Sequence, residues 1–249
     1  MALSHTTFSL LSMIFLSGSL VMLWFIILSG LTSTSPLSKT FFLRADTSGI
    51  TGSRPISQWA YFFICGDGNT DCGPAYPALP AGYAWSGKPS NAPAELVGSY
   101  GGDTTSFTYW YMWRFGWVFF LLALLFEVLT FFTGFLALCS RLGSAISGLI
   151  ALAALLFLTI AVSLMTATFV KMRNAFIADG RDASIGTYAF GFAWGAWAAL
   201  LVSTILFCLG RHSNKADGAV SQRRTWGRRS KSTRSRKSYD GRRVKEEYP

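Results

Sequence analysis

Four long apolar runs, at about residues 8–30, 115–139, 144–170 and 186–210, dominate this sequence. Each exceeds the roughly 20 residues that carry a helix across about 30 Å of hydrocarbon, so the chain is expected to cross a membrane four times. Glu127 is the only formally charged residue within them. Composition agrees: of 249 residues, 51% are hydrophobic, 16% aromatic and 14% charged, against about 25% charged in an ordinary soluble domain. The net charge is nevertheless +10. A chain both apolar and basic must keep the two properties in different places.

Segment 31–114 balances five basic against five acidic residues, the link at 140–143 adds Arg141, and 171–185 holds three basic and two acidic residues. The tail from 211 to 249 carries thirteen basic and four acidic residues, a net +9. Positively charged flanks stay on the cytoplasmic side. The tail is therefore expected inside, and an even number of spans places residues 1–7 inside with it. The segment 31–114 and a polar loop at 171–185 then face outward. Ser29, Gly30 and Ser33 after the first run would suit signal-peptide cleavage, but that run is longer than the usual apolar region and no Lys or Arg precedes it, so an uncleaved anchor is expected.

Residues 31–114 are too polar to span and too long for a simple connector, so they are expected to fold as an outer domain. Ile56-Ser-Gln-Trp-Ala-Tyr-Phe-Phe-Ile-Cys65, rich in β-branched and aromatic residues, reads as a strand. Gly66-Asp-Gly-Asn-Thr-Asp71 has a turn's composition, and Cys72 follows it. A short loop between two cysteines on the oxidising side predicts a Cys65–Cys72 disulfide. Asp67, Asn69 and Asp71 alternate like the start of a calcium loop, but Gly is missing at the sixth position and Ala78 stands where a bidentate Glu is needed. A polar hairpin tip is the expectation, with no metal and no cofactor. From Gly73 to about 102, repeated Pro and Gly predict irregular backbone. No Asn-x-Ser/Thr sequon occurs.

Trp59, then Cys65 and Cys72, then Ala75-Tyr76-Pro77-Ala-Leu-Pro80, then Tyr109-Trp-Tyr-Met-Trp-Arg-Phe115 entering the second span, resemble the fungal Sur-seven/PalI family. The resemblance implies a membrane protein, mainly α: a bundle of four transmembrane helices with a small β-rich, disulfide-clipped, claudin-like extracellular loop domain. It also implies residence in furrow-like plasma-membrane domains, the eisosomes, with roles in membrane organisation and cell-wall integrity. The PalI branch assists ambient-pH signalling instead, usually with a longer tail. Five residues separate Trp59 from Cys65, a wider spacing than in vertebrate claudins, so a junction function is not carried over.

Within the spans, Gly191, Gly195 and Ala199 recur every four residues and put small side chains on one helical face, as Ser144 and Gly148 do in the third run. Such faces pack helices, either within one chain or between neighbours. Trp194 and Trp197 read as groove fillers or lipid-facing residues, and Tyr109, Trp110, Tyr111, Trp113 and Trp117 as an aromatic belt at the outer interface. Glu127 lies near mid-membrane, where a charge is costly. A neutral carboxyl hydrogen-bonded to a Ser or Thr of another helix is the expectation, and a proton or ion relay is the alternative. Cys139 and Cys208, at the cytoplasmic span ends, suit either S-acylation or burial as structural thiols.

The tail is polar and rich in Arg, Lys and Ser, so residues 211–249 are expected to be disordered in isolation. Arg223, Arg224, Arg228, Arg229, Lys231, Arg234, Arg236 and Lys237 form clusters that anionic inner-leaflet lipid would attract. Ser230, Ser232, Thr233, Ser235 and Ser238 lie among them, where phosphate would cancel charge. Attachment to four spans argues against nucleic acid as the partner. The two histidines, His5 and His212, have no ligand or triad partner nearby in sequence, and no phosphate-cradling Gly loop appears, so an enzyme is not expected. The expected function is a structural organiser of plasma-membrane microdomains that self-associates or gathers other eisosome proteins. The alternatives are a pH-sensing accessory subunit and a transporter subunit built on Glu127.

Overall fold

The computed structural model describes residues 2–229 apart from Ser33, Ser90 and Ser140, and the side chains of that range except those at 2–6, 137–139, 141–142 and 210–229. Each apolar run becomes a helix: α1 (Ala2–Ile27), α3 (Phe107–Cys139), α4 (Arg141–Ala178) and α5 (Thr187–Arg229). A single turn, α2 (Tyr100–Asp103), precedes α3. All four long helices contain a stretch apolar enough to cross a membrane: Thr7–Ile27, Phe107–Leu136, Gly143–Ala178 and Thr187–Leu209. Their flanks bear exposed Phe132, Leu149, Leu156 and Ile205, as a surface solvated by lipid requires.

The bundle consists of two antiparallel pairs, α3 with α4 and α1 with α5, joined through α1·α3 and α4·α5 contacts. Small residues set the closest approaches, since a Cβ at Gly116 would fall 2.9 Å from Met165 Sδ and one at Gly195 would fall 3.0 Å from Met22 Sδ. At 33 and 38 residues, α3 and α4 are about 50 and 57 Å long, well beyond the roughly 30 Å of hydrocarbon. Their surplus turns stand beyond the end of α1 and carry the remainder of the protein.

That remainder is a cap built on a four-stranded antiparallel sheet of order β3-β2-β1-β4: β1 (Leu43–Asp46), β2 (Ile56–Trp59), β3 (Ile64–Cys65) and β4 (Ala183–Ile185). In β1, Leu43 and Ala45 are buried and Arg44 and Asp46 half-exposed, the alternation of a strand with one face on a core. The strand expected over 56–65 is divided in two. The chain turns at Ala60–Phe63, closed by the Ala60 N–H on the Phe63 carbonyl at 2.9 Å, because Tyr61 dives onto the bundle. Its ring stacks on Trp117 at 5.5 Å, and its hydroxyl donates to the Trp117 carbonyl at 2.7 Å. Gly30, with φ +82, ends α1 where a Cβ would press on Ala60 and Phe63 at 3.1–3.2 Å.

Two further expectations are corrected. The segment 171–185 is no simple loop: α4 runs through it to Ala178, and Ala183–Ile185 pairs with β1 in the register Leu43↔Ile185. The helix of the second span begins at Phe107, eight residues before the expected start at 115, because its aromatic first turns pack against the cap. The helix of the fourth span continues past 210 to Arg229, into the first part of the tail that is expected to be disordered in isolation. The remaining tail, including Lys231, Arg234, Arg236 and Lys237, lies outside the described residues.

Candidate functional site

Aromatic packing fuses the cap to the bundle. Trp59 is fully buried, donates from Nε1 to the Ala81 carbonyl at 3.0 Å and lies 5.8 Å from Phe176 of α4. Trp85 meets the other side of Phe176 and donates to the Thr104 carbonyl at 3.1 Å. Phe42 stacks on Phe169 at 4.9 Å, and Trp113 reaches the same ring at 4.8 Å. Tyr109, Trp113 and Trp117 are thus buried in the cap and bundle core rather than standing in a lipid-facing belt. Of the other two residues expected in the belt, Trp110 is half-buried and Tyr111 is exposed, at 38%. Burial pushes the Tyr61 hydroxyl well above its ordinary range.

The disulfide forms between Cys65 and Cys72. The loop inside it is organised by Gln58, whose Nε2 donates to Asp67 Oδ1 at 3.1 Å and whose Oε1 accepts the Asn69 N–H at 2.9 Å. Asn69 is buried and donates its amide to the Leu37 and Thr40 carbonyls at 2.8 and 2.9 Å. Asp67 and Asp71 point the other way, onto Arg44 and Arg54, each at 2.9 Å. The three residues that alternate like a calcium loop therefore diverge, two toward guanidinium groups and one inward. The hydrogen bond from Arg44 holds the Asp67 carboxyl below the usual carboxylate range and raises the Arg44 guanidinium in turn. Asp46 is held low by hydrogen bonds from the Ser48 hydroxyl and N–H.

Tyr76 is 45% exposed, meets Tyr83 edge-on at 5.6 Å and, with Pro74 and Leu79, lines a small recess of about 70 Å³. Pro77 is exposed and Pro80 buried. Arg181, which sequence reasoning passed over, locks the two loops together. Its guanidinium donates to the Ser48 carbonyl at 2.8 Å and the Asn91 carbonyl at 2.7 Å while pairing with Asp179 at 3.0 Å. The available signal was Asp179-Gly-Arg-Asp182, a charged turn directly before alternating Ala-Ser-Ile.

In the bundle, Glu127 is fully buried, and neither carboxyl oxygen has a hydrogen-bond partner among the described residues. The polar group beside it is the Ser19 hydroxyl of α1, which donates to the Ala196 carbonyl of α5 at 2.9 Å. Further along, Ser12 and Ser203 exchange hydrogen bonds between α1 and α5 at 2.8–3.0 Å. The small-residue face divides: Gly195 packs on Met22, whereas Gly191 is open, with nothing within 4 Å of a Cβ. The stripe at the centre of α5 packing is Ala189, Ala193, Ala196 and Leu200, with Ala199 half-buried at its edge. Ser144 is buried, and Gly148 is buried without a close neighbour. Trp197 donates to Thr159 Oγ1 at 2.9 Å, joining α5 to α4.

The sequence was also compared with known families. The model of the SUR7/PalI family matches residues 8–206, four-fifths of the chain. The chain belongs to the SUR7/PalI family. Protein SUR7 of Candida albicans is 36% identical over 211 residues, covering 83% of this chain and 75% of that protein. SUR7 family protein FMP45 of Saccharomyces cerevisiae is 30% identical over 223 residues, covering 86% and 69%. A further relative from that yeast, Uncharacterized plasma membrane protein YNL194C, is 25% identical over 197 residues, covering 78% and 65%.

The SUR7/PalI match spans all four membrane helices and the cap, and stops before the basic tail. This SUR7/PalI chain is a multi-pass membrane protein with a disulfide-clipped sheet at one end of a four-helix bundle. Cys208 is a free, exposed thiol on α5. Cys139 ends α3, and its side chain lies outside the described ones, as do Arg223, Arg224, Arg228 and Arg229.

Proposed function

We propose that this SUR7/PalI protein is a non-catalytic organiser of plasma-membrane microdomains of the eisosome type, supporting membrane and cell-wall integrity. In this reading both termini are cytoplasmic and the cap faces outward. Lateral association through spans and cap gathers further copies or other eisosome proteins. The tail holds anionic lipid of the inner leaflet at about 1 kcal/mol per basic residue near the surface. Glu127 is a structural residue beside Ser19 where α3 meets α1.

The observation that carries this reading is the separation of surfaces along one molecule. Apolar flanks surround the bundle, a charge-balanced cap is fused to one end by buried aromatic rings, and a +9 tail leaves the fourth span. Such a body presents a lipid-facing girdle between two differently charged ends. One relative, YNL194C of Saccharomyces cerevisiae, carries the name of a plasma membrane protein, which supports the membrane assignment.

Fluorescence imaging of a tagged copy tests the proposal. Long-lived cortical patches are expected, with a shorter dwell time once the eight clustered tail residues from Arg223 to Lys237 are changed to Ser. A diffuse internal-membrane pattern refutes the proposal, and an unchanged dwell time refutes the role of the tail.

A further inference from the structure

A cleft of about 550 Å³ opens at the far end of the α3/α4 pair, where the cap loop around Glu95 approaches the first turn of α3. Its height follows from two contacts. The Tyr61 N–H donates to Ser29 Oγ at 3.1 Å and its hydroxyl donates to the Trp117 carbonyl, so the end of α1 is level with Trp117. Phe107 lies ten residues earlier on α3, about 15 Å farther from the bundle at 1.5 Å per residue. The cleft therefore opens to water beyond the hydrocarbon, whichever side of the membrane the cap occupies. Its size falls within the range of small-molecule sites, roughly 300–1,000 Å³.

The lining has an unusual balance. Glu95 presents a carboxylate and Lys171 an ammonium, and neither belongs to the ion pairs found among the described residues. Asn174, one turn along α4 from Lys171, adds an amide, and Thr108 adds a hydroxyl. The Ser106 hydroxyl is buried in the wall without a hydrogen-bond partner among the described residues. Phe107 is 60% exposed at the rim, its ring lying 5.6 Å from that of Tyr100 and 4.7 Å from that of Tyr111. The loop is already in place: Ser106 N–H donates to the Leu96 carbonyl at 2.7 Å, and Leu96 is fully buried.

An anion would meet Glu95 and a cation would meet Lys171. A ligand that satisfies both must offer donors and acceptors without net charge. A sugar hydroxyl is both at once, and neighbouring hydroxyls match the two oxygens of a carboxylate, while ammonium and amide groups donate to the remaining sugar oxygens. The exposed part of Phe107 suits the C–H face of a pyranose ring. A peptide backbone is also neutral, but adding it as a strand needs an exposed sheet edge, and this cleft lies between a helix start and a helix end. We propose that the cleft binds a neutral, hydroxyl-rich oligosaccharide, held by Glu95, Lys171 and Asn174 and stacked on Phe107. The inference is independent of the membrane-organising function.

The test uses the full chain in lipid nanodiscs, with maltotetraose, cellotetraose and chitotetraose as probes and inorganic phosphate, glycine and tetraglycine as counter-probes. Binding is read by saturation-transfer NMR and calorimetry. At least one tetrasaccharide is expected to bind with a Kd below about 1 mM, weakening by at least about tenfold in Glu95→Gln and in Phe107→Ala. Both side chains are at the surface, and unchanged tryptophan emission and melting confirm that the variants fold. No tetrasaccharide binding up to about 10 mM, binding indifferent to both substitutions, or preference for phosphate, glycine or tetraglycine would each overturn the proposal.

Discussion

Arg181 stands at the seam between the two loops of the cap, and its contacts set the size of its effect. Its guanidinium donates to the Ser48 and Asn91 carbonyls, and the side chain is only 16% exposed. Arg181→Ala is expected to destabilise the cap by about 2 kcal/mol, the scale of losing charge-assisted hydrogen bonds at a partly covered site. Hydrogen exchange at Leu43–Asp46 and Ala183–Ile185 would register the change, and unaltered protection there would show that the clamp contributes nothing. The seam was hard to read in sequence because one Arg in a charged turn resembles any solvated residue. Trp113 and Trp117 show a different limit. An aromatic cluster beside a span has the same composition whether it meets headgroups or a protein core. Only the cap, folding down through Tyr61, decides for burial.

Among the elements, the sheet depends on charges at its solvent face. Asp67 and Asp46 are both held below the ordinary carboxylate range, the first by Arg44 and the second by Ser48. A lowered folded value means that the unfolded chain takes up protons first as pH falls. The stabilisation is complete above the free-aspartate value of about 3.9, declines as pH drops through it, and is gone below the lowered folded values. Near-UV circular dichroism of the cap tryptophans should show a melting temperature flat from neutral pH down to about 5 and falling below about 4. Retention of that pH response in Arg44→Ala would remove the Arg44–Asp67 pair as a source of it. The Cys65–Cys72 clip was legible because spacing and compartment suffice to predict it. β4 was not, since three residues carry too little periodicity and their partner strand lies more than a hundred positions earlier.

For the whole molecule, the four spans were legible from length and apolarity alone, because every backbone group in lipid must be satisfied within a helix. Charge segregation then yields an orientation, and this can be tested directly. With Cys139 and Cys208 changed to Ser, an impermeant maleimide should label Tyr76→Cys in intact cells and Ser235→Cys only after permeabilisation. The reverse pattern would invert the molecule and with it the case for an inner-leaflet partner. The lengths of α3 and α4 were less legible: Lys171, Arg173 and Asp179 read as a polar loop, although the helix continues through the first two before ending at Ala178.

The pairing of β1 with β4 also fixes an order of events during synthesis. β1, β2, β3 and both cysteines emerge early, yet the strand that covers the free side of β1 is made only after α4 has been translated. Until then the cap has an uncovered edge, of the kind that invites pairing with other chains. A nascent molecule stalled before Ala183 therefore keeps that edge open, whereas arrival of the last strand marks the completion of the α3/α4 hairpin.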